Sequence, residues 1–155
     1  MAANMLTAYY SRGCDSRELF QGLKIATHPD FEKHLNQYNV IHLNMRDYLT
    51  ESENMKQLIQ FVEDDLLDEL QQEFSDLRMP RRKTLVKVLE QAFAQYKIPF
   101  VFIIDEWDCI FRVHKSDAAS QKEYLDFLRN LLKDKSYIAL AYMTGILPIK
   151  KYGEL

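Results

Sequence analysis

Glycine is scarce in this chain of 155 residues. There are four, Gly13, Gly22, Gly145 and Gly153, and none sits in a loop built to cradle phosphates. No Gly-x-x-x-x-Gly-Lys-[Ser/Thr] occurs anywhere, so the backbone amides and lysine that would hold a run of phosphates are absent. Cysteine is scarcer. Cys14 and Cys109 make neither a disulfide framework nor a zinc-ligand spacing, and both are expected to be buried or inert thiols in a reduced, cytoplasmic setting. His28, His34, His42 and His114 show no metal-ligand spacing, and no Ser/His/Asp arrangement is readable. No excess of one charge exists either. A net charge of −3 and a pI near 5.8 give no general electrostatic reason to expect nucleic acid or an anionic membrane as a partner. No apolar run approaches the ~20 residues of a membrane span. The amino terminus lacks a basic region followed by an apolar core, which argues against a signal peptide. Internal repeats, low-complexity tracts and interdomain linkers are also missing.

What is present suits one folded domain. The length is one domain's worth, and 47% hydrophobic with 28% charged residues excludes a disordered chain. The most informative stretch is Ile98 to Asp108, where seven uncharged residues run into three carboxylates within four positions. The apolar part does not alternate, so both faces of a strand at 99–105 should be buried, as in a parallel sheet covered by helices. An unpaired carboxylate inside a core costs several kcal/mol. Asp105 and Glu106 therefore belong at the open carboxyl end of that strand, where ligands bind in open α/β sheets. A hydrophobic strand ending in Asp-Glu reads as a Walker B strand, in which the Asp holds Mg²⁺ and the Glu polarises an attacking water. The bland alternative is a strand that ends in solvated charges. For Asp108 a metal-shell role competes with a turn or cap, and for Trp107 packing in the adjacent turn is favoured over stacking on a base.

Along the chain, residues 1–11 form a small apolar helix and 14–38 hold short helical pieces, with Ser16 or Asp15 as a cap. A strand at 39–45 alternates Ile41, Leu43 and Met45 with His42 and Asn44, which suggests an edge strand. Residues 46–53 read as a loop, with Thr50 and Glu53, or Ser52, starting the longest helix, about 54–74. A second helix runs about 82–96. Residues 112–119 read as a polar loop, followed by a helix that Ser120-x-x-Glu123 would start. A further buried-type strand lies at 137–143, with Thr144 and Gly145 at its carboxyl end. Thr144 reads either as a γ-phosphate sensor or as a plain strand-ending Thr before a turn. Strands alternating with helices define α/β with a parallel sheet. The cluster Arg78, Arg81, Arg82, Lys83 suits a solvated helix start better than nucleic acid. Surface placement is the default for Arg12 and Arg17, with a phosphate-facing role as the alternative. The helical pattern at Met1 and the abrupt stop after Tyr152-Gly-Glu-Leu155 give the look of a piece cut from something longer.

Four segments carry a resemblance: Asn4–Gly13, Ser16–Ile25, Phe102–Asp108 and Ala141–Tyr152, the last with its distinctive Thr-Gly-Ile-Leu-Pro-Ile. Together they resemble the AAA-ATPase-like family of P-loop proteins, across essentially all of residues 1–155. Members of that family often carry a PD-(D/E)XK nuclease-like region further along the chain. The resemblance implies a partial domain, with the Walker A strand and its Gly-Lys-[Ser/Thr] loop lying before residue 1 and a further part missing at the carboxyl end. It implies a three-layer α/β sandwich of the additional-strand type, with strand 39–45 at one edge, then 99–105, then 137–143. Asp105 and Glu106 match the Walker B positions and Thr144 the sensor position, so ATP and Mg²⁺ are implied for the intact domain. Trp107 stands where Tyr is frequent. The Walker A strand would lie beyond 137–143, and without it that strand has an open edge that favours a protein partner or self-association. The rival reading is a non-catalytic α/β interaction module that does not bind ATP by itself. Nucleic-acid processing through a nuclease-like region rests on the resemblance alone.

Overall fold

The computed structural model describes residues 2–147. Its centre is β2, Phe100–Asp105, flanked by β1, Asn39–Asn44, and β3, Ile138–Met143, all parallel and in the order β1-β2-β3. This is the strand order that the resemblance implies. Every residue of β2 but the terminal Asp105 is buried, because its two faces meet two different layers. Phe100, Phe102 and Ile104 join a large core with three helices: α5, Met55–Glu73; α6, Leu85–Tyr96; and α8, Ala118–Leu132. Val101 and Ile103 face α1, Ala2–Tyr10, and pack on Ala3, Leu6 and Tyr10. Full burial stabilises a Val, Ile or Phe side chain by roughly 1.5–3 kcal/mol, so this short strand is a large local contributor to stability.

The helices bury the stripes that their spacing dictates. In α5, Met55, Leu58, Val62, Leu66 and Leu70 face inward, and in α6, Leu85, Val88, Leu89 and Ala92 do so. Lys97 adopts a left-handed conformation (φ 60°) that stops α6 just before β2. Between α1 and β1 run α2 (Arg17–Phe20), a 3-10 turn (Lys24–Thr27) and α3 (Phe31–His34). They close over a small satellite core of Phe20, Phe31 and Leu35, with Tyr9 against both phenyl rings.

Several local expectations change. Residues 46–53 are not a loop: α4, Met45–Glu51, begins directly at the end of β1, capped by the Asn44 side chain, which accepts from the Arg46 amide at 3.2 Å. Met45 is fully buried, as a strand reading would have it, but from the helix. Asn54, not Thr50 or Ser52, caps α5 by accepting from the Gln57 amide at 2.9 Å. The one-turn helix α7, Cys109–Val113, runs into the start of the expected polar loop, and α8 is capped by Asp117, which accepts from the Ser120 amide at 3.0 Å. Ser16 heads α2 but spends its hydroxyl on the Ala8 carbonyl instead of a cap. Finally, β3 is less buried than an uncharged strand suggests. Ala139, Ala141 and Tyr142 are exposed, since among the described residues β3 pairs with β2 alone. Met1 and residues 148–155, including Lys150, Lys151 and the end of the Thr-Gly-Ile-Leu-Pro-Ile segment, lie outside the described residues.

Candidate functional site

Parallel strands bring all their carboxyl ends to one rim. Asn44 is in register with Asp105, and Ile104 with Met143. The ladder continues one step further, with the Thr144 amide donating to the Ile104 carbonyl at 2.9 Å. Thr144 therefore stands beside Asp105, and its hydroxyl donates to Asp105 Oδ1. The Glu106 amide donates to the same oxygen at 3.1 Å. The Trp107 amide in turn donates to the Thr144 carbonyl at 3.1 Å. The three residues picked out in the sequence thus form one corner, and all three are half-buried.

Glu106 is reached by a sharp backbone turn, with φ at 50° in the left-handed region. That conformation costs a residue with a Cβ roughly 1–2 kcal/mol. It keeps Glu106 at the rim while Trp107 enters the core, 2% exposed and packed on Phe111 at 5.5 Å between ring centroids. Tyr124 donates its hydroxyl to the Trp107 carbonyl at 2.9 Å. Trp107 is thus a packing residue, and stacking on a base is excluded by its burial.

Two arginines hold the Glu106 carboxylate, both through Oε2: Arg112 Nη2 at 2.8 Å and Arg46 Nη1 at 3.7 Å. Arg112 also reaches Asp108, with Nη2 3.4 Å from Oδ1 and Nε 3.3 Å from Oδ2, the latter a charge contact and not a directed hydrogen bond. The hydrogen bond to Glu106, with help from the Asp108 charge, raises the Arg112 pKa above its ordinary value. Asp108 itself is completely buried and accepts from the Ile146 and Leu147 amides at 3.0 and 2.8 Å. Hence it is the latch that folds the segment after β3 back onto the end of β2. Gly145 lies in the tightest part of this latch. A Cβ there would sit 2.6 Å from Asp108 Oδ1 and 2.8 Å from Trp107 Cδ1, closer than atoms tolerate.

The other candidates lie elsewhere. Arg12 donates to Asn39 Oδ1 at 2.5 Å and pairs with Glu73 at 2.6 Å, in a cleft of about 420 Å³ at the amino end of the strands, away from the acidic rim. Arg17 pairs with Glu32. Arg78, Arg81, Arg82 and Lys83 are exposed in the segment between α5 and α6. Cys109 is buried, and burial pushes its thiol up to about 11, whereas Cys14 is exposed. Of the two thiols expected to be buried or inert, Cys109 is the buried one. Among the described residues, no group of three or more His, Cys, Asp and Glu is arranged to hold a metal. Sequence reasoning missed the roles of Arg112, Arg46 and Gly145. Arg112 had a findable signal, since it stands four residues after Asp108; Arg46 had none, because it meets Glu106 only through the fold.

A parallel sheet with helices on both faces and an acid-bearing rim at its strand ends defines an open α/β domain. The model of the AAA-ATPase-like family, described as a predicted AAA-ATPase, matches residues 1–153, and the chain belongs to that family. No curated protein matches the chain. No solved structure matches it either.

Proposed function

We propose that this chain is the metal- and water-handling part of a cytoplasmic, ATP-hydrolysing P-loop domain. Asp105 would hold Mg²⁺, Glu106 would polarise the attacking water, and Thr144 would sense the γ-phosphate. The observation that carries this reading is the shared corner in which Thr144 donates to Asp105 while Glu106 stands next to it on the rim. Asp105 spends Oδ1 on these two donors, and no hydrogen bond from another described residue goes to Oδ2. One free carboxylate oxygen suits Mg²⁺, which keeps most of its waters and takes only one or two carboxylates besides phosphate oxygens. When bound, the ion would neutralise charge on the phosphates. Nothing among the described residues cradles the phosphates. In this reading a Walker A strand and its Gly-Lys-[Ser/Thr] loop precede residue 1, and residues 1–155 are a partial domain.

Two experiments test the reading. In a form of the protein extended upstream through such a loop, Glu106→Gln should lower kcat by roughly 10²–10⁴-fold, the usual contribution of a positioned proton-handling group, and should leave Mg-ATP binding in place. Hydrolysis equal to the unsubstituted protein would sink the assignment. Titration of residues 1–155 with Mg-ATP should show no tight binding, and tight binding would show that the loop is dispensable. A second reading, a non-catalytic interaction module, is favoured by the open edge of β3. In-frame codons for Gly-Lys-[Ser/Thr] upstream of Met1 favour the ATPase, and a true start at Met1 favours the module.

A further inference from the structure

We infer that Arg112 is a positioning residue for Glu106, an inference that rests on the water-polarising role proposed for that glutamate. A carboxylate that orients water needs one oxygen anchored and the other open. Every contact that the Glu106 carboxylate makes with a described residue goes to Oε2. Of the two guanidinium groups there, Arg112 is the closer, at 2.8 against 3.7 Å, and the less exposed, with 26% of its side chain accessible against 56% for Arg46. It alone makes a hydrogen bond; Arg46 is a longer-range charge.

Arg112 is itself held. Its Nε and Nη2 face the two oxygens of Asp108, and Asp108 has no exposed surface with which to move. Nη2 then spans from Asp108 to Glu106. Because Asp108 also binds the Ile146 and Leu147 amides, one buried carboxylate fixes both the segment that carries Thr144 and the cation that aims Glu106. The side chain of Glu106 is still 41% exposed, so packing does not aim it, and the Arg112 hydrogen bond supplies what packing does not. Lysine cannot replace this geometry, since a point charge cannot present a fork to two carboxylates at once.

The test is Arg112→Gln in the loop-bearing, hydrolysing form of the protein. A misaimed group of this kind slows chemistry by up to about 100-fold. We expect kcat to fall by roughly 10–100-fold with the Mg-ATP Kd unchanged within about twofold. Arg112→Lys should recover only part of that loss. Arg112→Gln added to Glu106→Gln should cause no further loss, because two residues acting as one unit are not additive. An unchanged kcat, a Kd that weakens in step with kcat, or a loss that multiplies on Glu106→Gln would each overturn the inference. Should Arg112→Gln leave Asp108 too destabilised to fold, the pair Arg112→Gln with Asp108→Asn removes the orphaned charge, and the same split is read there. The two levels fail separately. Hydrolysis by Glu106→Gln at the normal rate sinks the role of Glu106, whereas an inactive Glu106→Gln beside a fully active Arg112→Gln sinks only the role of Arg112.

Discussion

The Asp108 carboxylate has no exposed surface, yet it serves two backbone amides and one guanidinium. Its burial is tolerable because each of these partners is positive or a donor, so little of its charge is left unpaired. Removing it strands the Ile146 and Leu147 amides and part of Arg112. Asp108→Ala should therefore destabilise the fold by roughly 1.5–3 kcal/mol, the range for a hydrogen bond to a charged group. Urea unfolding measures that loss, and hydrogen exchange should show the Ile146 and Leu147 amides losing protection. The glycine beside it tests the same corner from the steric side. Gly145→Ala drives a methyl into Asp108 Oδ1 and Trp107 Cδ1, and overpacking of this kind costs about 1–3 kcal/mol. Because Trp107 and Asp108 are both buried, neither neighbour can simply swing into solvent. If Gly145→Ala unfolds at the same urea concentration as the unsubstituted protein, the latch is looser than described.

Among the elements, the long helices and the three strands were legible because a repeated stripe or a wholly apolar run constrains many residues at once. Their ends were not. Thr50, Ser52 and Asn54 all stand within a few positions of the start of α5, and each can cap; only the backbone geometry selects Asn54. Asn54→Ala should cost ~0.5–2 kcal/mol, the usual loss for such a cap, while Ser52→Ala should leave stability nearly unchanged. Helix α4 was hidden for a related reason, since Met45 is buried whether the strand continues or turns into a helix. The meeting of Asp105 with Thr144 was legible, because both follow uncharged strands of one parallel sheet. Arg46 was not, because its approach to Glu106 depends on how α4 leaves β1. At α8 the cap can be watched directly. Hydrogen bonds from the Ser120 amide and hydroxyl hold the Asp117 pKa below the ordinary carboxylate value of 3.8. A depressed folded pKa means that this cap is intact above the unfolded value and lost as the pH falls through the folded one. The Ser120 amide resonance should accordingly titrate with a midpoint below 3.8, and Asp117→Asn should abolish that step.

For the whole molecule, the uneven burial of the sheet decides what it exposes to others. β2 is closed on both faces and both edges, whereas β3 offers an unpaired edge among the described residues. Its residues Ile138–Met143 carry no charge, so the edge lacks the lysines and inward charges with which proteins blunt such strands. Tyr142 is 38% exposed on it, with Ile146 76% exposed just beyond. Cys109, the first residue of α7 and completely buried, provides an internal control for any change in this region. Its thiol is pushed up to about 11 by burial, so at neutral pH a thiol reagent should modify exposed Cys14 at once and Cys109 only when the fold opens. We expect residues 1–155 to associate in a concentration-dependent way through the β3 edge, as read by sedimentation velocity. Tyr142→Lys should weaken that association, because it puts a charge where a second strand would pair. An exposed substitution usually shifts stability by no more than about 0.5 kcal/mol, so Cys109 should label no faster than in the unsubstituted chain. Weaker association with unchanged Cys109 labelling assigns the contact to the edge itself. Faster labelling would mean that the substitution had opened the core, and unchanged association would remove β3 as the interface.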